Sequence, residues 1–135
     1  MNRFIAFEQI ILALKGIDGS PQYDNNLHGE VYDEWLQEVN SFPTICLVPT
    51  NEEIKHNLSN ERYSLVTGEL RGFTWDEDVE ESGESLAEDI EKVFENWRAW
   101  SSGIDEIRIQ EVETDGGLMS PEGVCIIKFS VLFRR

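Results

Sequence analysis

Nine carboxylates, Asp76, Glu77, Asp78, Glu80, Glu81, Glu84, Glu88, Asp89 and Glu91, crowd one stretch with no Lys or Arg between Arg71 and Lys92. Carboxylates at that density could bind a divalent cation, perturb one another's protonation, or repel another anion. The opening Asp76-x-Asp78-x-Glu80 resembles the start of a calcium loop, but Glu81 stands where that loop needs glycine and Ala87 where it needs glutamate. A magnesium-dependent nuclease or phosphatase would draw its carboxylates from several rigid elements and add a nearby Lys or His, a pattern absent from this stretch. What remains is a solvated loop running into an acid-rich first helical turn, which the helix dipole favours, or a patch that holds a polyanion off. Asp76, Glu77, Asp78, Glu80 and Glu81 are the residues of that patch.

The other reactive side chains give no catalytic arrangement. His28 and His56 lie in polar, loop-like sequence without a second His or a Cys at ligand spacing. Cys46 and Cys125 sit inside apolar runs and read as reduced core thiols. No G-x-S-x-G, G-x-x-x-x-G-K-[ST] or G-x-G-x-x-G occurs. No catalytic residue, metal ligand or cofactor is therefore expected. Of the four tryptophans, Trp97 and Trp100 fall on or near a helical core stripe, whereas Trp35 and Trp75 stand beside acids and read either as partly buried side chains or as anchors of a protein contact.

The elements that must position these residues follow from length and patterning. A chain of 135 residues with 40% hydrophobic content and 14 aromatics supports one packed α+β domain over residues 1–135. Eleven Lys and Arg against 27 Asp and Glu leave a charge of −16, which disfavours gripping DNA or an anionic membrane. No apolar run reaches membrane-spanning length, and the opening residues lack the pattern of a signal peptide, so a cytosolic origin is expected. Residues 3–15 form a helix with Asn2 as N-cap and Gly16 as stop. Residues 17–41 form an ordered arm or long loop, with a short extended piece around Glu30 to Trp35. Phe42–Pro49 reads as a strand buried on both faces, Thr50–Glu61 as a loop, and Arg62–Asp76 as a long strand in which Gly68 and Gly72 suggest a bulge. Ser85-Leu86-Ala87-Glu88 reads as a capping box opening a helix whose Leu86, Ile90, Val93, Phe94 and Trp97 share one face. Strands over Ile104–Thr114 and Val124–Arg134 complete the chain, the latter with Cys125, Ile127, Phe129, Val131 and Phe133 on one face. The expected fold is an antiparallel or mixed sheet of about four strands with helices on one face, in the order α-β-β-α-β-β.

That arrangement resembles the tail terminator, or tail completion, proteins of long-tailed bacteriophages. The resemblance spans nearly the whole chain. It is carried by Ile11-Leu12-Ala13-Leu14 in the opening helix, by Phe42-Pro43-Thr44-Ile45-Cys46-Leu47-Val48-Pro49 with Glu52 and Glu53 after it, and by Arg62 opening the next strand. Asp89-Ile90-Glu91 in the second helix, Asp115-Gly116 after the third strand and the closing strand to Phe133 complete it. The acidic insertion before the second helix departs from the minimal pattern. The resemblance implies a non-enzymatic virion protein, assembled in the bacterial host cytoplasm. It would form a homohexameric ring on the head-proximal end of the tail, against tail tube protein and head-to-tail connector or neck proteins. DNA would pass through the ring without specific binding. Trp35 and Trp75, with Glu52, Glu53, Asp115 and Gly116, are the expected interface residues, and the acidic patch is expected in the lumen, where carboxylates repel phosphate. Three other functions compete with this one: a neck subunit of similar size, an acidic DNA-mimic inhibitor, and a metal-dependent hydrolase.

Overall fold

A computed structural model describes residues 1–75, 79–114 and 122–135, with the backbone alone at 79–82. Helix α1 spans Arg3–Leu14, and the Asn2 side chain caps it by accepting the Ile5 amide at 2.9 Å. The following arm carries Ile17 and Leu27, both fully buried, into strand β1 (Val31–Tyr32). Strands β2 (Thr44–His56) and β3 (Arg62–Trp75) make a hairpin. Helix α2 (Val79–Glu95) and the single turn α3 (Trp97–Trp100) lead to a second hairpin, β4 (Ile104–Thr114) and β5 (Glu122–Arg134).

The fold is α+β with one five-stranded sheet in the order β1-β2-β3-β5-β4, so the last strand is interior, between β3 and β4, and its hairpin partner β4 forms an edge. All pairs are antiparallel except β1 with β2, which makes the sheet mixed. The four-strand order expected from the sequence is short by β1, a two-residue strand pairing only with Ile45 and Cys46 and too brief to leave a periodic pattern.

One face of the sheet holds the core. Even residues of β3 from Ser64 to Thr74 and odd residues of β5 from Gly123 to Phe133 are buried, and both helices pack on this side. The Phe129 ring meets Phe7 of α1 at 5.7 Å and Phe94 of α2 at 4.9 Å between centroids. The expected α2 stripe of Leu86, Ile90, Val93 and Phe94 is buried. Trp97 falls beyond the end of α2 and is half-buried in α3, and the Trp100 indole N–H donates to the Val93 carbonyl at 2.8 Å.

Three expectations about element boundaries are corrected. The segment Thr50–Glu61 is strand as far as His56, paired residue by residue with Arg62–Thr67. Its side chains are almost all exposed, so no apolar alternation marked it. Gly68 and Gly72 do not mark a bulge in β3, whose register with β5 runs unbroken. The irregularity lies in the partner strand, between Pro49 and Asn51. The glycines are there for space: a Cβ on Gly68 would stand 2.7 Å from Phe129 Cζ, and one on Gly72 2.7 Å from the Cys125 sulfur. Finally, α2 starts at Val79 and Ser85 lies inside it, so the capping box is not the start of the helix. Glutamates tolerated in a helical first turn hid that beginning.

Candidate interaction surfaces

The described residues hold no group of three or more His, Cys, Asp or Glu side chains placed to bind a metal ion. His28 occupies an exposed turn with φ 50°, its amide held by Asn26, and His56 is exposed at the end of β2. Cys46 and Cys125 are buried, and burial pushes the Cys46 thiol up. No described helix is long and apolar enough to cross a membrane.

The face of the sheet opposite the helices is the first candidate surface. On it β3 presents Leu65, Thr67, Glu69, Arg71 and Phe73, and β5 presents Val124, Ile126, Lys128, Ser130 and Leu132. Lys128 lies in one cross-strand row between Glu69 and Glu111 and pairs with Glu111 at 3.5 Å. The carboxyl of Glu113 is pushed up by its hydrogen bond to Glu111, whose own carboxyl is held down by that contact and by Lys128. The two anchor tryptophans meet this face. Trp35 lies 4.3 Å from the Arg71 guanidinium, which also pairs with Glu69 at 3.1 Å. Trp75 meets the Phe42 ring in a tilted contact, with centroids 5.5 Å apart. They remain 38% and 59% exposed respectively, large aromatic surfaces left in water at one end of the sheet.

The two glutamates in the second half of β2 part company. Glu52 is largely buried, accepting from the Ser64 hydroxyl at 3.0 Å and from Arg135 at 2.7 Å, with Arg3 at 3.9 Å. It ties α1, β2, β3 and the end of β5 together. Glu53 is exposed. Asp76, Glu77, Asp78, Asp115 and Gly116 lie outside the described residues. Glu80 and Glu81 belong to the first turn of α2, where only the backbone is described.

One carboxylate of the acidic stretch has an internal role. Asp89 is fully buried on α2 and accepts the Asn25 amide at 2.9 Å, the Asn25 side-chain N–H at 2.7 Å and the Asp24 amide at 3.3 Å, with Lys92 at 3.9 Å. It clamps the arm to the helix, and nothing in its sequence surroundings separates it from its solvated neighbours.

Helix α1 carries a surface that residue-by-residue reading missed. Its core face is Ala6, Phe7, Ile10 and Leu14, yet Phe4 is 68% and Leu12 62% exposed beside that face. With Ile11, Val31, Leu47 and Pro49 they line a groove of about 420 Å³ beside the β1/β2 edge. The signal was available, because a helix apolar nearly all round is one made to be covered on more than one side.

The sequence matches the family model described as Bacteriophage Tail Tube Terminator Protein over residues 5–135. The chain belongs to that family. As a member of the tail tube terminators it is a structural component of the phage tail, in keeping with the resemblance drawn from its motifs. A solved structure described as the virion of a native gene transfer agent (GTA) particle contains a chain of similar fold. The two superpose with a TM-score of 0.64 at 10% identity, covering 96% of this terminator and 91% of the other chain. No curated protein matches the sequence.

Proposed function

We propose that copies of this terminator assemble into a homohexameric ring at the head-proximal end of the tail. The ring stops growth of the tail tube and joins it to the head-side connector, with DNA passing through its lumen. The observation that carries this reading is the family match over residues 5–135, and the surfaces described above suit it. A ring subunit works through contacts, and this chain exposes Trp35, Trp75, Phe4 and Leu12 on separate parts of its surface. Its chemistry is that of a binding and positioning protein; we assign it no enzymatic activity, metal or cofactor.

The charge of −16 fits a conduit for DNA. Carboxylates turned to the lumen repel the phosphate backbone over roughly a Debye length, about 8–10 Å at physiological salt, so the duplex slides rather than adheres. We assign Asp76, Glu77, Asp78, Glu80 and Glu81 to that lumen, and Trp35, Glu53, Trp75, Asp115 and Gly116 to contacts with neighbouring subunits or tail proteins. Glu52, engaged internally, would support those contacts from behind. Two experiments separate the parts of this reading. Tails assembled without the chain should overgrow, and tails of normal length would refute the terminator role. Reversing the five lumen charges to Lys should leave rings intact and slow DNA ejection; unchanged ejection would remove the electrostatic assignment alone.

A further inference from the structure

Helix α1 and helix α2 border opposite edges of the sheet, α1 beside β1 and β2 and α2 beside β4. Their outward faces differ in sign. The exposed side of α1 carries Phe4, Glu8 and Leu12 between Arg3, which lies 3.9 Å from Glu52, and Lys15; the two exposed cations are twelve residues apart, about 18 Å along the axis, and leave this face with a net charge of +1. Lys15 has no acidic partner among the described residues.

On α2, Glu84, Glu88, Glu91 and Glu95 fall at spacings of four, three and four, a single stripe of about 16 Å. No cation pairs with any of them among the described residues. Lys92, the basic residue of that helix, turns the other way, to Asp89 and the Gln22 carbonyl. Glu91 feels the crowding: burial, then the charges of Glu95 and Glu88, push its carboxyl up. Beside the stripe, Phe94, Glu95, Ile107 and Ile109 line a shallow cavity of about 200 Å³ between α2 and β4.

We infer that the outward face of α1 in one copy seats against the α2/β4 edge of the next, with Phe4 and Leu12 over the Ile107 and Ile109 side and Arg3 and Lys15 beside the glutamate stripe. This rests on the ring reading and supplies its contact. The two surfaces are different and lie on opposite edges, so the contact is heterologous, the type that generates a closed ring. Antiparallel pairing of α1 with α1 of another copy is disfavoured, because in the register that overlaps the whole helix it would set Arg3 against Lys15. Pairing by free strand edges is disfavoured as well, since both β2 and β4 carry register shifts and charged side chains there.

The test is a charge swap read by native mass spectrometry and sedimentation at low and moderate salt. Lys15→Glu and Glu95→Lys alter exposed side chains, and circular dichroism should report wild-type folding for both. Each alone should weaken association about tenfold. An equimolar mixture of the two chains should restore it, because alternating copies then meet with opposite charges at every contact. A mixture no better than either variant, or singles that assemble like the wild type, overturns this contact while a wild-type ring keeps the ring reading. Tightening by Lys15→Glu alone would point to α1 pairing with α1 and overturns it too. A wild-type protein that stays monomeric under all conditions overturns the ring reading and this contact together.

Discussion

Replacing Asp89 with alanine should be among the most destabilising single changes in this protein. The carboxylate has no contact with water and is the acceptor for three N–H groups from the arm, at 2.7, 2.9 and 3.3 Å. Alanine removes the acceptor and leaves those donors facing a methyl group. Hydrogen bonds to a charged group are worth about 1.5–3 kcal/mol each, and part of the loss is recovered as the arm opens to water, so the net cost should be about 3–4 kcal/mol. For a chain of this size that corresponds to a melting temperature lower by roughly 10–15 °C. Thermal and urea unfolding followed by circular dichroism would measure it. Hydrogen exchange adds a local readout, since the Asn25 amide should lose its protection. Asp89→Asn tests the chemistry more finely: it keeps the shape but turns one acceptor into a donor among donors, and should cost about 2 kcal/mol. A loss below about 1 kcal/mol for Asp89→Ala, with Asn25 still protected, would refute the clamp.

Other expectations follow from the packing and the charges. Gly68→Ala places a methyl 2.7 Å from the Phe129 ring and 3.0 Å from that of Phe7. It should cost about 1–3 kcal/mol by overpacking and weaken near-ultraviolet aromatic ellipticity; a neutral result would show that the two rings move aside freely. Glu91→Gln should stabilise the fold at neutral pH. A carboxyl whose folded pKa is raised is disfavoured in its ionised form, so its cost is present above the folded value and absent below the ordinary value of 4.5. The gain in melting temperature should therefore shrink towards zero on going from pH 7 to pH 3, and a gain independent of pH would contradict the electrostatic cause.

How much of this was legible beforehand depended on periodicity. The alternation of Cys125 to Phe133 and the spacing of Leu86, Ile90, Val93 and Phe94 are strong local signals, and both elements form with those residues buried. The far half of β2 is held by hydrogen bonds to β3 and exposes nearly every side chain, so composition there resembles a loop. β1 exists only because a distant segment, Ile45-Cys46, passes alongside it. Gly68 and Gly72 were conspicuous, but a glycine in a strand can mean a bulge or a close approach, and only the position of the Phe129 ring and the Cys125 sulfur decides between them. The surfaces divide in the same way. Trp35 and Trp75 could be singled out by residue type, whereas the separation of Glu52, Asp89 and Glu91 into a tie, a clamp and a half-buried member of the α2 stripe required knowing which strand or arm lies beside each.

The central claim is that this terminator works as a ring. Electron microscopy of the purified protein at high concentration, alone and with tail tubes, tests it most directly. Six-fold rings with a central hole, free or capping one end of the tube, are the expected result. Isolated monomers in both preparations, with tube ends left bare, would contradict it.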